Sequence, residues 1–493
     1  MKLLLRTSFL SAFLLLALRT SPAAMQQNDI RAMLESAKTE LANKNFAGAY
    51  ETLKKCLKLA PNNAAVLTQL GDTYLANDST NQAILAYSRA KEADPASVRA
   101  YEGLGDSYAK EGATIVAITQ YQKVVELDSV DAEAYHKLAH LYMKLRRYND
   151  AAQAFTAVLL RDSTNNEATF ELGKLYLSAK RWANAAKTFL TYTQHCPDSV
   201  EGWKLSMEAA LNARQYNQAL EAADHLLKIK VSSASVLRTR GRALAELGRC
   251  PAALSSYEQL SRIDTLSADD FYRMGKCNSN LKRDSLSVIF LEKSLALDSS
   301  EAEIWGDIGT VYMRLRKFEK AAGAFEQRYK LEPTSTGSYF NYALSSMALE
   351  RWNDALAALR HALTLNTDYL PIPLNIARCL VRIDSLEASV PYYETVLRLA
   401  KEGGSEKFKT ESAEALSIIG LRYLSQKKYA QAIEFLKESI KTKGNVAQAH
   451  LWLGQAYALS GKRDEAIAEY RMVLRIDPKN KDAHKGLELL GEE

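Results

Sequence analysis

Small, apolar and aromatic residues recur along the chain every 34 residues. In rows of 34 written from Ile30, position 8 is small in nearly every row, position 20 is Ala or Ser in each of the first eleven rows, and position 24 is mostly aromatic or Leu. Eleven rows fill residues 30–403 without interruption, nine extra residues follow at 404–412, and two further rows fill 413–480. An internal period of this length indicates one structural unit repeated 13 times.

Each row predicts a pair of helices. Apolar positions 4, 7, 8 and 11 share one face of a first helix, and positions 20, 24 and 27 share one face of a second helix. Gly or polar residues near position 15 predict the turn between them, and proline at position 32, as in Pro61 and Pro95, ends the second helix. Small residues at positions 8 and 20 allow the two helices of a row to approach each other closely. The pattern therefore predicts an all-α array of antiparallel helix pairs.

The extra residues at 404–412 break the pattern between rows 11 and 12. Gly403 and Gly404 predict a flexible joint that reorients the last two rows, and the alternative is that Glu406 onward extends the first helix of row 12. The last row is followed by residues 481–493, which predict a terminal helix that caps the array and a short tail.

Two rows come close to a known consensus, and their residues are Leu67, Leu70, Gly71, Tyr74, Ala83, Tyr87 and Pro95 in one, and Trp305, Ile308, Gly309, Tyr312, Ala321, Phe325 and Pro333 in the other. They resemble the tetratricopeptide repeat, and the resemblance extends over about residues 30–480. It implies a right-handed superhelical solenoid of helix pairs. Its concave groove, lined by the first helices, would receive a peptide or protein segment.

Residues 1–24 have the features of a secretory signal peptide. Lys2 and a second basic residue precede the apolar run Ser8–Leu18, and Arg19 ends this run well short of the about 20 residues that a membrane span needs. Small residues provide a cleavage site near Ala23 or Ala24. We therefore expect a protein exported to the periplasm or the extracellular space, and an uncleaved membrane anchor is the alternative.

Composition and charge narrow the classes of function. Hydrophobic residues make up 47% of the chain and charged residues 25%, as in folded proteins. The net charge of +6 falls to +3 without residues 1–24, so charge gives no reason to expect nucleic acid. Five cysteines are too sparse to hold the fold. The repeat positions of Cys250 and Cys277 bring them within reach of each other, as a disulfide or as two packed thiols.

Positions 2, 5, 9, 12 and 13 lie off the apolar stripe of each first helix and are expected to line the groove. The candidate binding residues form a basic and aromatic group in the middle rows and an apolar group further on: Lys204, Arg238, Arg242, Tyr272, Arg273, Lys276, Phe340, Leu344 and Leu374. The first group predicts an acidic partner or another anion, and the second predicts an apolar segment. The alternative is that the charges are solvated and the apolar side chains pack on one another.

One pair of residues, His136 and His140, has a spacing that suits metal binding, because the two lie four residues apart on one helix face. Stacking of equal positions would place them beside Glu102 and Asp106 of the preceding row. Such groups more often form ion pairs or hydrogen bonds, so we predict no metal ion and no cofactor. Lys137 stands where a metalloprotease helix needs Glu, and other catalytic motifs are missing from the sequence. We therefore expect no enzymatic activity.

The function predicted from the sequence is a scaffold that binds a peptide or protein segment and assists assembly of an envelope or secreted complex, with peripheral association to a membrane complex. A periplasmic carrier for an anionic polysaccharide is the alternative, because repeat arrays of this kind also occur in exopolysaccharide secretion systems. A regulatory half of an enzyme carried on another chain is the third hypothesis.

Overall fold

The computed structural model describes residues 22–444 and 446–492, so most of the predicted signal peptide lies outside the described residues. In this part of the chain all regular structure is helical and no strand occurs. The helices, numbered α1 to α27, span Pro22–Ala42, Phe46–Leu59, Ala64–Ala76, Thr80–Ala93, Val98–Lys110, Thr114–Leu127, Ala132–Lys144, Tyr148–Arg161, Asn166–Ser178, Trp182–His195, Val200–Asn212, Tyr216–Lys228, Ala234–Glu246, Cys250–Ser261, Ala268–Asn280, Asp284–Leu297, Ala302–Arg314, Phe318–Leu331, Thr336–Ala348, Trp352–Leu365, Pro371–Arg382, Leu386–Glu402, Lys409–Ser425, Tyr429–Thr442, Ala447–Leu459, Arg463–Ile476 and Lys481–Leu489. The prediction of an all-α protein is confirmed.

The helices form two compact units, which divide after Ala243, within α13. Odd-numbered helices are the first helices of the predicted rows and even-numbered helices are the second helices. Within each unit a first helix packs against the second helix that follows it, and that second helix packs against the next first helix. Consecutive helices run antiparallel because their connections are only a few residues long.

The turn between the two helices of a row has the same backbone geometry in every row. Its position 15 lies two residues beyond the end of the first helix and has φ between 55° and 80° in all 13 rows. Glycine occupies this left-handed position at Gly112, Gly248 and Gly461, whereas charged residues such as Arg146 and Lys180 occupy most of the others. A left-handed residue at this point terminates a helix and reverses the chain, which explains the constant row length.

Several first helices begin at a capping side chain in position 34 of the preceding row. Asn63 accepts a hydrogen bond from the backbone N–H of Val66 at 3.2 Å, and Asp131 accepts one from Ala134 at 3.1 Å. Ser97, Asn165, Ser199 and Asn480 cap their helices in the same way. These caps satisfy N–H groups that have no partner within the helix, and they fix where each repeat starts.

The core of most repeats is built around a large side chain at position 24. Tyr87, with 0% exposure, shows why small residues surround it: a Cβ atom added at Gly71 would lie 2.5 Å from its ring, and one at Gly103 only 2.3 Å. Gly71 belongs to the first helix of the same row and Gly103 to the first helix of the next row. The ring is therefore held between two first helices, which links neighbouring repeats as well as the two helices of one row.

The insertion at 404–412 is accommodated partly by helix extension. Helices α22 and α23 are 17 residues long, against 14 and 13 residues for a typical second and first helix. Residues 403–408 join them, and the ring of Phe408 lies beside Gly403. Across the insertion, Arg422 donates a hydrogen bond to Glu387 at 3.0 Å. These contacts tie α23 to the row that precedes the insertion, and the proposed hinge stays a prediction.

The last apolar face of the array is covered by α27, which packs on α25 and α26. Ala483 and Leu487 of this helix are buried, and a Cβ atom at Gly486 would lie 2.6 Å from the ring of Tyr470. The terminal helix thus supplies the same close approach to a position-24 ring that the next first helix supplies elsewhere. None of the described helices is both long and apolar enough to cross a bilayer.

His450 gives the last complete repeat a pH-dependent stability. It is 5% exposed, its Nδ1 lies 2.5 Å from Glu469, and its Nε2 lies 3.1 Å from the carbonyl oxygen of Gly444. Both partners are acceptors, so only the doubly protonated imidazole satisfies both. The hydrogen bond to Glu469 accordingly raises the pKa of His450, although burial opposes it.

Because the folded pKa is above the unfolded value of about 6.5, this stabilisation is complete below pH 6.5 and is lost as the pH rises through the folded pKa. We expect the protection factors of α25 and α26, which are corrected for the intrinsic rise of hydrogen exchange with pH, to fall over that range in the wild-type protein and to change much less in His450→Gln. The solvent-exposed His484→Gln is the control, and the same pH profile in all three proteins would contradict the prediction.

Candidate binding surface on the first helices

Neighbouring first helices are joined by a recurring contact between position 9 of one row and position 2 of the next. The pairs are Asp72 with Arg99 (2.7 Å), His140 with Glu167 (3.5 Å), Lys276 with Glu303 (3.0 Å) and Arg378 with Glu414 (2.6 Å). The offset of seven positions corresponds to about two helical turns. The last pair keeps this offset across the insertion. Equal positions of successive rows therefore do not face each other at these contacts, contrary to the assumption made for the sequence.

This offset corrects the predicted grouping of the two histidines with Glu102 and Asp106. The Asp106 carboxylate accepts hydrogen bonds from Tyr121 and from Lys137, the latter at 2.8 Å. Glu102 pairs instead with Arg99, at 3.1 Å. The group that assembles within the described part of the chain is His136, His140 and Glu167, the last from the following row.

The three side chains lie at the junction of α7 and α9. His136 Nε2 is 3.6 Å from Glu167 Oε2, and His140 Nε2 is 3.5 Å from Glu167 Oε1. The two imidazoles are four residues apart on α7, and both pack edge-on against the buried ring of Phe155. Burial, and then the charge of His140, lower the pKa of His136, so His136 is neutral at neutral pH.

An open apolar cavity of about 600 Å³ lies between α9 and α11. Phe170 and Leu177 of α9 face Leu205 of α11 across it, and Trp182 closes one end. Phe170 is fixed from below by the ring of Tyr192, with 4.9 Å between ring centroids. The rim is polar and consists of Lys174, Ser178, Glu201 and Glu208. This cavity can accept a large apolar side chain from outside.

A second cavity of about 440 Å³ lies two first helices earlier, between α5 and α7. Ala109, Leu141 and Met143 line its apolar part, and Asp106 and Lys137 pair on its polar side. His140 also borders this cavity. The surface of α5, α7, α9 and α11 in the first unit thus carries a cavity, the His136–His140–Glu167 cluster and a second cavity in succession. We call this surface the first-unit groove.

The predicted basic group is divided between the two compact units. In the second unit, Arg273 is only 12% exposed and donates to Glu246 at 2.5 Å and to Asp269 at 2.9 Å. Lys276 pairs with Glu303, and its ammonium group lowers the pKa of that carboxyl group. The Tyr272 hydroxyl donates to Asp307 at 2.9 Å. The cationic side chains of this part of the group are therefore compensated by carboxylates of the same unit.

The other members of the group belong to the first unit. Lys204 is exposed on α11, while Arg238 and Arg242 are partly buried on α13. The Nε atom of Arg242 is buried and finds no hydrogen-bond partner among the described residues. The predicted role of these residues in binding an anion stays a prediction.

The predicted apolar group of the later rows is more buried than its positions suggest. Leu374 is 5% exposed and packs in one core cluster with Val390 of α22 and Ile419 of α23. The placement of Leu374 on an open groove was therefore wrong. Phe340 and Leu344 are half-buried, and the Phe340 ring packs edge-on against Tyr369 at 5.6 Å between centroids.

Cys250 and Cys277 are both buried and are side by side, as their spacing predicted. Burial and the neighbouring thiol of Cys250 raise the pKa of Cys277. The two cysteines are unbonded in this structure, and the raised pKa makes the Cys277 thiol a poor nucleophile. The choice between a disulfide and two packed thiols stays a prediction.

The sequence reasoning did not select Glu167, Leu177 or Leu205 as site residues. Phe170 and Leu177 occupy positions 5 and 12, which were assigned to the groove, but charge along the middle rows received more weight than apolar size. Glu167 occupies position 2. The signal that would have found it is charge complementarity between position 9 and position 2 of the next row, as in Asp72 and Arg99.

Sequence models of the tetratricopeptide repeat match residues 40–105, 136–200, 306–370 and 423–490, together more than half of the chain. This chain belongs to the tetratricopeptide repeat family. The matched segments include the row at 64–97 and residues 306–335 of the row at 302–335, the two rows that carried the resemblance in the sequence. They also extend into the last two rows beyond the insertion. Membership of this family supports a function as a scaffold for protein interaction.

Two curated relatives are similar over part of their length. The tetratricopeptide chain is 25% identical to mouse (Mus musculus) Superkiller complex protein 3 over 107 residues, which is 22% of this chain and 7% of that protein. It is 24% identical to Anaphase-promoting complex subunit 7 of Arabidopsis thaliana over 323 residues, which is 57% of this chain and 55% of that protein. The chain thus spans a small part of the first relative and about half of the second.

Solved structures are similar to this chain at low sequence identity. The C-terminal part of a TPR repeat-containing protein from Cytophaga hutchinsonii has a TM-score of 0.39 and 19% identity, covering 57% of this chain and 98% of its own. A chain of the APC/C hetero-tetramer Cut9-Hcn1 has a TM-score of 0.34 and 14% identity, covering 97% of this chain and 99% of its own.

Proposed function

We propose that this tetratricopeptide chain is a protein-interaction scaffold that binds an extended segment of a partner protein in the first-unit groove. The observation that carries the proposal is the open cavity of about 600 Å³ between α9 and α11, lined by Phe170, Leu177 and Leu205. Preformed apolar pockets with a polar rim are where large apolar side chains of a partner contribute most to affinity. We assign this cavity to one such side chain.

The charges around the cavity favour a basic residue next to that apolar side chain. Lys174 is paired with Glu171 at 2.8 Å, whereas Glu201 and Glu208 are exposed on the rim. A cationic group of the partner would meet these two carboxylates at the edge of the cavity. This differs from the acidic partner that the middle rows suggested, and the carboxylates around Arg273 and Lys276 weaken the case for a polyanion.

The scaffold is proposed to act in an exported compartment, in the assembly of an envelope or secreted complex with peripheral association to a membrane complex. The support is the sequence of residues 1–24, with Lys2 before the apolar run Ser8–Leu18 and small residues at Ala23 and Ala24. N-terminal sequencing of the chain recovered from the producing cell tests this proposal. A start at residue 24 or 25 supports it, and retention of Met1 in an intracellular fraction contradicts it.

A display library of unstructured peptides tests whether the first-unit groove binds peptides. The affinity of each selected peptide for the chain is then measured. Selected peptides are expected to contain a large apolar residue beside Lys or Arg, and Leu205→Lys is expected to weaken their binding about tenfold or more, because it places a charge in the cavity. The matched control is Leu160→Lys, since Leu160 is 80% exposed on the second helix α8.

Equal loss of binding in both variants, or no loss in Leu205→Lys, would exclude the cavity as the binding site. The alternative function, a polysaccharide carrier, is tested by measuring the affinity of the chain for polyuronates of increasing length. Affinity that rises with chain length and is abolished by Lys204→Glu would favour the carrier, whereas peptide binding without polyuronate binding favours the protein scaffold.

A further inference from the structure

We propose that His136, His140 and Glu167 bind one divalent transition-metal ion, with Zn²⁺ as the species to be tested. The site lies on the junction of α7 and α9, so the ion would connect two consecutive repeats. This inference concerns metal binding by the chain itself and does not depend on a partner in the groove.

The geometry is close to that of a three-ligand zinc site. Nε2 of His136 and Nε2 of His140 lie 3.6 and 3.5 Å from separate oxygens of Glu167, and the three ligand atoms all lie within 4.8 Å of one another. Ligands at the usual zinc distance of about 2.0–2.1 Å in a tetrahedron are separated by about 3.3 Å. A small rotation of the His140 ring, which is 46% exposed on its side chain, is sufficient to close the set.

The donor chemistry also fits. Two neutral imidazoles and one carboxylate are borderline ligands that suit Zn²⁺ and other late first-row divalent ions rather than Ca²⁺ or Mg²⁺. His136 Nε2 is buried and has no hydrogen-bond partner among the described residues, which leaves its lone pair available to a metal ion. Most buried polar atoms in proteins are satisfied, so this atom needs an explanation.

The frame that holds the ligands is rigid on one side and adjustable on the other. His136 and His140 are fixed at a spacing of four residues in the middle of α7, and the ring of Phe155 packs against both, with centroids 5.9 and 5.4 Å away. Glu167 lies in the first turn of α9 and is exposed, so it can adjust to an ion. Three protein ligands leave a fourth position for water or another donor.

The test is zinc titration of the full chain after removal of metal, by calorimetry and by metal content after equilibrium dialysis. We expect the wild-type protein to bind one Zn²⁺ more per chain than Glu167→Gln or His140→Gln at the same free zinc concentration. The affinity of each variant for Zn²⁺ is expected to be lower than that of the wild type by about tenfold or more. The controls are Glu201→Gln, at the same repeat position one row later, and His195→Gln, an exposed histidine of the same unit. Both are expected to bind as the wild type does.

Substitution of Co²⁺ gives a second measurement, because ligand-field bands in the visible spectrum report bound imidazole and low coordination number. These bands are expected in the wild type and in both controls, and to be lost in Glu167→Gln and His140→Gln. Circular dichroism of all variants confirms folding. Failure of the wild-type chain to bind Zn²⁺, or unchanged binding by Glu167→Gln and His140→Gln, would overturn the proposal.

Discussion

Replacement of Phe325 by alanine is expected to lower the free energy of unfolding of the second unit by about 3–5 kcal/mol. Phe325 is 1% exposed and occupies position 24 of its row. A Cβ atom at Gly309 would lie 2.8 Å from its ring, which shows how closely α17 and α18 approach around it. No neighbouring side chain can fill the space that the ring leaves without moving a helix.

Hydrogen exchange is the appropriate measurement, because a repeat array unfolds in parts and a single unfolding free energy is not defined for it. Protection is expected to fall most in α17, α18 and α19. The control is Leu331→Ala in the same helix, where the side chain is 44% exposed and the expected change is within about 0.5 kcal/mol. Similar losses of protection in the two variants would show that position 24 has no special role.

Alanine in place of Gly103 is expected to destabilise the first unit by about 1–3 kcal/mol, although alanine is the better helix former. The new Cβ atom would lie 2.3 Å from the buried ring of Tyr87, which is itself confined by Gly71. Gly323→Ala is expected to have the opposite sign, a gain of up to about 1 kcal/mol, because a Cβ atom there meets nothing within 4 Å.

Hydrogen exchange measures both changes, through the protection of α4 and α5 for Gly103→Ala and of α18 for Gly323→Ala. In a Tyr87→Leu background the cost of Gly103→Ala is expected to be smaller, because the contact that opposes the methyl group is removed. If Gly103→Ala stabilises its helix as Gly323→Ala does, the gain in helix propensity outweighs any clash with Tyr87. Close packing would then not explain the glycine at residue 103.

The repeat itself could be predicted because the same packing contact constrains the same position of successive rows. Position 8 is small and position 24 is large for one reason, the contact seen between Gly71 and Tyr87, and that contact recurs every 34 residues. The left-handed residue at position 15 could not be predicted as such, because glycine is present in only three of the 13 rows. Arg146 and Lys180 adopt the same φ because the flanking helices impose it.

The candidate site was harder to predict because it depends on how first helices are offset, which no single row contains. A reader of the sequence places His136 beside Glu102 of the preceding row, whereas the structure places it beside Glu167 of the following row. Burial is the second obstacle. Leu374 occupies a groove position in its row, yet side chains of α22 and α23, among them Val390 and Ile419, cover it.

The contact between position 9 and position 2 makes four of the described repeats selective for their successors. Asp72 meets Arg99 in the present order, but excision of the row at 98–131 would bring Glu133 to that place and set two carboxylates together. Each single pair is exposed and contributes little, about 0–1 kcal/mol. Their combined effect is a matching rule between adjacent rows, so that duplication or exchange of rows during evolution would be restricted to those with compatible charges.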